Sequence, residues 1–288
     1  MTNIDRVLSQ CLTMNVDGRG SLTLAAPLQG FPETAHGGSV LAAFDRTATR
    51  WIDAATTSRT IGAQIRRSVP LETVLPLTVR ESATGVTLTL GHDGRSLAVG
   101  LVKRGGPEPA PSWEGWKGPA EKSRGFPTAR GCLACGTENP VGLRVQLRFD
   151  DRWVWSEYRP SESYRTRDGG IAPALFTVLL DEMAWWLGAL ASGEAGVTTE
   201  IAVTLYRPAR PFGGTLLGIG PRDRVAAAGE RGHFWKTETA VLASDGALLA
   251  SGAITFAGSR VYSKRLIPNL LQSNPPERLR PIFPAHVP

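Results

Sequence analysis

The segment HGGSVLAAFDRTATRWIDAA, residues 36–55, has a counterpart in APALFTVLLDEMAWWLGALA, residues 172–191. Each segment is apolar over most of its length and carries an acid in its tenth place, Asp45 in the first and Asp181 in the second. A helix that is apolar nearly all round must be buried on most sides. The two segments therefore predict two long central helices, each with one acid inside the protein.

A strand pattern follows each predicted helix. TIGAQIRRSVP at residues 60–70 matches TTEIAVTLYRP at residues 198–208. The offset between the helix acids is 181 − 45 = 136, and the offset between the first strand residues is 198 − 60 = 138. A near-constant offset through a helix and a strand indicates an internal repeat.

The repeat includes a third pair of segments, DGRSLAVGLV at residues 93–102 and DGALLASGAI at residues 245–254, at the longer offset of 245 − 93 = 152. The Asp-Gly pairs that open both segments are turn signals between antiparallel strands. We therefore predict an α+β chain of two tandem units. In each unit a curved antiparallel sheet wraps a long central helix, and the two sheets pair edge to edge.

The chain is predicted to consist of a first unit, a linker, a second unit and a tail, at residues 1–104, 105–129, 130–259 and 260–288. The linker is rich in Gly and Pro, but Trp113 and Trp116 predict that it packs against the protein. The tail contains six prolines. We expect the tail to follow the surface without regular structure.

Composition indicates which classes of protein the chain can belong to. The 288 residues are 42% hydrophobic, with a net charge of +6 that is spread along the chain. This mild excess favours small acidic or phosphate-bearing ligands over a nucleic-acid surface. Only three cysteines occur, which excludes a disulfide scaffold and favours a reducing compartment. No signal-peptide pattern is present, and the most apolar segment, residues 170–191, carries two acids that disfavour a membrane span. We expect a cytoplasmic protein.

HGG at residues 36–38, with Asp45 nine residues after the histidine, resembles the start of the central helix in hotdog-fold acyl-CoA thioesterases of the PaaI type. The second unit is similar to the same superfamily in three places. These are CLACGTENPVGL at residues 132–143, LLDE at residues 179–182 and GVTTEIAVTLYRP at residues 196–208. The resemblance implies a tandem, or double, hotdog fold and a site between the two units.

In that superfamily one unit supplies the glycine turn, and the other supplies the helix acid and a hydroxyl residue on the following strand. The corresponding residues here are His36, Gly37, Asp181 and Thr198. The resemblance implies that the Gly37 N–H holds the developing oxyanion. It also implies that Asp181 acts on water as a general base or attacks directly as a nucleophile, with Thr198 as orienting group. His36 is more often a helix cap than a catalyst in such turns.

The reciprocal site would combine Asp45 and Thr60 with the start of the second helix. There Ala172-Pro173-Ala174 stands in place of His-Gly-Gly. Proline has no N–H to donate, so that oxyanion donor is absent. We predict one working site and one relic, with Asp45 structural and paired with a nearby arginine.

An acyl group is expected to lie along the two central helices. The residues expected to bind the substrate are Gly38, Phe44, Phe176, Met183, Trp185, Trp186, Arg66, Arg67, Arg207 and Arg210. The two tryptophans predict a short or filled acyl pocket, and the arginines are expected to meet the phosphates and pantetheine. Glu182 lies about 100° round the helix from Asp181, and we expect it to act indirectly or to lie at the surface.

Cys132 and Cys135 have the spacing of half a zinc site, but such a site needs four ligands. Cys11 and four dispersed histidines show no second half. We interpret the pair as a tight turn with small buried thiols and expect no metal and no cofactor. Motifs of P-loop, dinucleotide-binding, serine hydrolase and zincin proteins are absent.

Three functions remain open. The first is hydrolysis of an acyl-CoA or acyl-carrier thioester. The second is hydration or dehydration, which needs an Asp and a His working as a pair, and the third is acyl-CoA binding or assembly without catalysis. A homodimer of the chain is compatible with all three, and neither nucleic acid nor membrane is expected as a partner.

Overall fold

The computed structural model describes residues 2–53, 58–106, 113, 115, 116, 118, 120–206, 213–229 and 232–287. Within these ranges the helices are α1 (Ile4–Gln10), α2 (Gly37–Ala48), α3 (Pro173–Ser192), α4 (Arg260–Leu271) and α5 (Pro276–Leu279). The first strands are β1 (Leu12–Met14), β2 (Arg19–Leu22), β3 (Arg59–Ile65), β4 (Leu75–Ser82), β5 (Gly85–His92) and β6 (Arg95–Arg104). The others are β7 (Arg124–Gly125), β8 (Arg148–Phe149), β9 (Trp153–Tyr158), β10 (Gly196–Leu205), β11 (Leu216–Pro221), β12 (Ala226–Ala228), β13 (Phe234–Ala243) and β14 (Leu248–Gly258).

These strands form one antiparallel sheet in the order β1-β2-β4-β5-β6-β3-β10-β14-β13-β11-β9-β8-β7, with β12 beside β13. Strands from residues before 105 make one half of the sheet, and strands from residues after 123 make the other. The halves meet at β3 and β10. The architecture is α+β, as predicted.

The register at the junction follows the repeat. Ala63 of β3 faces Ile201 of β10, and 201 − 63 = 138 is the offset between the matching strands in the sequence. A local twofold axis pairs equivalent residues of two repeated strands in this way. The two halves of the sheet therefore pair edge to edge, as predicted, and they do so through β3 and β10.

Helix α3 is buried in the core, as its apolar composition predicts. Every side chain from Leu179 to Leu187 is at most 9% exposed. By length and composition alone, α3 is long and apolar enough to cross a membrane. However, 83% of its apolar 18-residue stretch is buried inside the protein. Gly193 ends the helix in the left-handed conformation, at φ 69°, which glycine adopts at no steric cost.

Helix α2 is shorter than the apolar pattern over residues 36–55 predicts, since it ends at Ala48. The hydroxyls of Thr47 and Thr49 donate to carbonyl oxygens one turn back. Such bonds compete with the backbone ladder and favour a helix end. Residues 54 and 55 lie outside the described ranges.

The expectation of a tail without regular structure is wrong, because α4 and α5 are helical. Leu266, Ile267 and Leu270 form one buried stripe of α4, and burial of such a stripe stabilises a helix more than intrinsic propensity does. Pro276 lies at the start of α5, where the missing N–H costs nothing. The number of prolines was therefore a poor guide to the structure of the tail, since a proline at the start of a helix is compatible with that helix.

Trp113 and Trp116 pack against the second half, as predicted. Trp113 is 9% exposed and belongs to a small apolar cluster with Trp153 and Trp155 of β9. The Trp116 ring centroid lies 5.7 Å from the Trp153 ring and 5.7 Å from the Trp155 ring. This part of the linker thus covers the sheet.

Candidate active site

Asp181 lies where α3, β10 and the start of α2 meet, and it is 4% exposed. The Thr198 hydroxyl donates to its Oδ1 over 2.7 Å, and the Gly38 N–H donates to its Oδ2 over 2.8 Å. Helix α2 belongs to the first half of the chain, whereas α3 and β10 belong to the second. The acid, the threonine and the glycine turn that the sequence assigned to one site are therefore in contact.

Gly37 and Gly38 serve different purposes in this turn. Gly37 is the first residue of α2, so its N–H has no partner within the helix. It donates to no group among the residues that the structure describes. A Cβ on Gly37 would lie 2.7 Å from Oδ2 of Asp181, so glycine allows the carboxylate to approach. Gly37 itself is partly exposed.

Gly38 lies where α2 crosses α3. A Cβ there would lie 2.4 Å from the Thr177 carbonyl oxygen and 2.6 Å from the Val178 Cα, and neither backbone atom can rotate away. We expect Gly38→Ala to lower the free energy of unfolding by about 1–3 kcal/mol through overpacking, measured by urea unfolding. Gly125→Ala is the control, since its Cβ would meet nothing within 4 Å. Equal stability of Gly38→Ala and wild type would contradict the close helix crossing.

His36 lies between two carboxylates and is 5% exposed. Its Nδ1 is 3.1 Å from Oδ2 of Asp181, and its Nε2 is 3.4 Å from Oε2 of Glu182. Burial alone lowers the pKa of His36, but the hydrogen bond with Glu182 and the charge of Asp181 outweigh it and raise the pKa to about 9. A neutral ring would instead accept the Gly38 N–H at Nδ1, over 3.1 Å.

Glu182 is 7% exposed, so the alternative that it lies at the surface is wrong. Burial raises its pKa, but the hydrogen bond and charge of His36 outweigh this effect and hold the pKa below its ordinary value. The Trp186 indole N–H donates to Oε1 over 3.0 Å. For Asp181 burial dominates and raises the pKa, although His36 and Thr198 oppose the rise. Trp186, one turn after Glu182, is the sequence signal that could have indicated a buried glutamate.

The turn that contains Cys132 and Cys135 contacts the same carboxylate. Cys132 Sγ lies 3.9 Å from Oε2 of Glu182. A side-chain hydrogen bond with Cys132, together with burial, raises the pKa of the Cys135 thiol well above its ordinary value. Both thiols are buried, as predicted. The premise that no histidine lies near them is wrong, since His36 joins them from the other half of the chain.

A pocket of about 300 Å³ lies beside Asp181. Its polar lining includes His36, Gly37, Cys132, Cys135, Asp181, Glu182 and Thr198. Its apolar lining includes Phe31, Val40, Trp185, Leu266 and Leu270. Helix α4 thus forms one wall of the pocket, and the sequence analysis missed this wall. The spacing of Leu266, Ile267 and Leu270 in the tail was the available signal.

The predicted substrate residues divide into two groups. Trp185, Trp186, Arg66 and Arg67 line the pocket, whereas Gly38, Phe44, Phe176 and Met183 do not. Phe44 packs against Gly100 of β6, and Met183 packs against Gly218 of β11. Phe44 lies one position from Asp45, and Met183 lies two positions from Asp181. These spacings are about 100° and 200° round the helix, so both side chains point away from the acid and toward the sheet. Arg207 and Arg210 lie outside the described residues.

Asp45, the counterpart of Asp181, is held by an arginine. Arg59 Nε and Nη2 donate to its two carboxylate oxygens over 2.6 Å and 2.7 Å. Both residues are buried, at 4% and 2% exposed. Thr60 makes its side-chain bonds with Thr204 and a backbone carbonyl instead of with the acid. The predicted pairing of Asp45 with an arginine is confirmed.

No protein-family model and no curated protein sequence matches the chain, but solved structures do. A conserved hot dog fold protein from Alicyclobacillus acidocaldarius is 14% identical, with a TM-score of 0.62, over 90% of this chain and 99% of that one. Acyl-CoA thioesterase II TesB2 from Mycobacterium marinum is 15% identical, with a TM-score of 0.55, over 88% and 96%. The dehydratase domain of PpsC from Mycobacterium tuberculosis, in complex with C12:1-CoA, is 15% identical, with a TM-score of 0.58, over 86% and 97%.

The thioesterase and the dehydratase domain differ in activity, so the likeness specifies the fold and leaves the chemistry to the site. The overlap covers most of this chain and nearly all of each neighbour. The antiparallel sheet around α2 and α3 agrees with it. The chain has the hotdog fold.

Proposed function

We propose that the protein hydrolyses acyl thioesters, with an acyl-CoA or an acyl-carrier thioester as substrate. The observation that carries the proposal is the buried Asp181 carboxylate, fixed by Thr198 and Gly38 beside the unpartnered N–H of Gly37. Acyl transfer to water needs a base or nucleophile next to a donor for the oxyanion. The structural overlap with an acyl-CoA thioesterase supports the same reaction.

The proposed reaction uses the start of α2 as the oxyanion site. The thioester carbonyl oxygen accepts the Gly37 N–H, and the positive end of the helix stabilises negative charge there. Asp181 takes a proton from water as the water attacks the carbonyl carbon, or it attacks first and water then releases the acyl group. In both routes the C–S bond breaks, the thiol leaves and a carboxylic acid forms. His36 contacts Asp181 and is a positioning residue.

We further propose that the chain is a tandem of two hotdog units with one working site. The equivalent pairing of β3 with β10 supports the repeat. The asymmetry of the acids supports a single site, since Asp181 meets a glycine turn whereas Asp45 is bound to Arg59. Helix α3 also begins with Pro173, which has no N–H for an oxyanion.

The pocket suggests a small acyl group. A volume of about 300 Å³ is at the low end for ligand pockets. Trp185 and Leu266 give it an apolar wall, and Arg66 and Arg67 lie at its lining. Arginine binds phosphate groups well through its planar set of donors. We therefore propose a short-chain or medium-chain acyl-CoA, with the arginines toward its phosphates.

A second candidate, hydration or dehydration of an acyl-CoA, is favoured by the contact of 3.1 Å between His36 and Asp181. The neighbouring dehydratase domain has the same fold. A dehydratase, however, needs a histidine nitrogen that is free to take a proton from a substrate carbon. Both ring nitrogens of His36 contact carboxylates, so we rank hydrolysis first. Hydration of short enoyl-CoAs, followed by loss of enoyl absorbance, tests this candidate.

The test of the proposed function is thiol release from a panel of short, branched, long and aromatic acyl-CoAs by wild type and Asp181→Asn. Turnover that depends on Asp181 supports hydrolysis. Acyl-CoA binding without turnover would instead indicate the third candidate, a non-catalytic binding or assembly protein. If the protein neither binds nor cleaves any thioester, the proposal fails.

Leu266→Ala is expected to shift the preferred substrate to longer acyl groups. Leu266 is 8% exposed and lines the pocket from α4, so truncation adds space for about three carbon atoms. One methylene in an apolar pocket is worth about 1–3 kcal/mol. We expect the ratio of kcat/KM for a longer over a shorter acyl-CoA to rise about 10-fold. Leu271→Ala, at an exposed position of the same helix, is the control. An unchanged ratio would contradict the placement of the acyl group against α4.

A further inference from the structure

Three metal-binding side chains meet in the pocket wall, beside the acid that we assign to catalysis. The ligand atoms of His36, Cys132 and Glu182 all lie within 4.8 Å of one another. Cys135 lies in the same turn as Cys132, three residues later. All four residues are buried and line the pocket. Two thiols, an imidazole and a carboxylate are the ligand types of zinc sites.

The spacing of these atoms suits one ion. In a tetrahedral zinc site with bonds of about 2.0–2.3 Å, neighbouring ligand atoms lie about 3.3–3.8 Å apart. His36 Nε2 is 3.4 Å from Glu182 Oε2, and Cys132 Sγ is 3.9 Å from the same oxygen. Both distances are long for a strong hydrogen bond. The first distance lies within the range expected between ligands that share an ion, and the second lies just above it.

The outer contacts of the cluster are also those of a metal site. A ligating histidine usually donates its other ring N–H to a carboxylate, and Nδ1 of His36 faces Asp181 over 3.1 Å. The Trp186 indole N–H holds the second oxygen of Glu182 over 3.0 Å. The Ala134 N–H donates to Cys132 Sγ over 3.3 Å. Each of the three side chains is thus held by a partner in an orientation that directs its proposed ligating atom toward the other two.

We infer that His36 Nε2, Cys132 Sγ and Glu182 Oε2 bind one transition-metal ion, with zinc favoured by the combination of thiolate, imidazole and carboxylate. The ion joins three segments that are far apart in the chain: the glycine turn, the cysteine turn and α3. It fixes the ring of His36 so that Nδ1–H points to Asp181. This inference does not rest on the proposed hydrolysis, since a non-catalytic binding protein could have the same cluster.

Metal content and cobalt spectra test the inference without reference to turnover. The full chain is purified under reducing conditions without a chelator or a metal-affinity step. Its zinc content per chain is then measured by elemental mass spectrometry. Chelated protein is then titrated with Co²⁺, which gives a thiolate charge-transfer band and intense visible bands in a tetrahedral thiolate site. We expect about one zinc per chain and a cobalt titration that ends at about one equivalent.

Variants locate the ion. Cys132→Ser and Glu182→Gln are expected to lose stoichiometric zinc and the tetrahedral cobalt spectrum. Trp186→Phe, which keeps an aromatic ring but removes the donor to Glu182, is expected to weaken Co²⁺ binding about 10-fold. Cys11→Ser is the control, since Cys11 is a buried free thiol outside the cluster, and it should bind as wild type does.

Two results would overturn the inference. One is reduced wild type that contains no zinc and shows no thiolate band with Co²⁺. The other is a thiolate band that persists unchanged in Cys132→Ser. If Cys132→Ser fails to fold, the wild-type spectrum compared with that of Cys11→Ser still decides, because a thiolate band independent of Cys11 requires the cysteine pair.

Discussion

Asp181→Asn is expected to lower kcat for thioester hydrolysis by about 10²–10⁴-fold, the usual contribution of a general base. Asparagine has nearly the same shape and can still accept the bond from Thr198 or Gly38, but it can neither take a proton nor attack as an anion. Acyl-CoA binding should change little, because the apolar wall and Arg66 and Arg67 are untouched. The measurements are steady-state thiol release and acyl-CoA affinity by calorimetry.

Asp168→Asn is the matched control for this substitution. Asp168 precedes Gly169-Gly170 near the start of α3, and it is exposed. The same chemical change there is expected to leave kcat unaltered. If Asp181→Asn retains turnover within a factor of about 3, Asp181 is not the base or nucleophile. If it loses binding as well as turnover, the residue holds the pocket together and the catalytic assignment loses its support.

Asp45→Asn is expected to lower the free energy of unfolding by about 3–5 kcal/mol, the usual cost of breaking a buried ion pair. Asp45 and Arg59 are joined by two hydrogen bonds and are almost fully buried. Asparagine can accept only one of those bonds and carries no charge to attract that of Arg59. Urea unfolding followed by circular dichroism measures the loss.

The double variant Asp45→Leu with Arg59→Met tests whether stability depends on the ion pair itself or only on filling this buried position. Replacing a buried pair by apolar residues of similar volume is often neutral, so the double variant should recover most of the lost stability. The folded fraction of Asp45→Asn should keep wild-type kcat, because Asp45 does not line the pocket. A stable Asp45→Asn, or one that folds but is inactive, would contradict the structural role.

The contrast between Asp45 and Asp181 shows how far a repeat pattern can be interpreted. Both acids hold the same place in an apolar segment, and the sequence alone predicted that one site would survive. The reason was local and chemical, since Pro173 stands where a glycine N–H is needed. The partner of Asp45 could be expected as an arginine but not identified, because the matching strand position in the second half is Val197.

The predicted substrate residues, in contrast, could not all be placed correctly from the sequence pattern. Phe44 and Met183 neighbour the helix acids in sequence, yet they face the sheet, because adjacent residues of a helix point about 100° apart. Which face of α3 meets the pocket depends on what covers it. That cover is the cysteine turn and α4, and neither could be assigned to α3 from sequence spacing.

The sequence by itself determined the two central helices and the strand pattern that follows each of them, because both come from a local pattern that repeats in the chain. The meeting of Asp181 with Thr198 and the glycine turn was implied by the resemblance to hotdog-fold thioesterases and does not follow from the repeat alone. Only the tertiary structure decided the length of α2, the helical tail and the cluster of His36, Cys132 and Glu182. These depend on packing between segments that are distant in the chain, and packing energy can override local propensity and spacing.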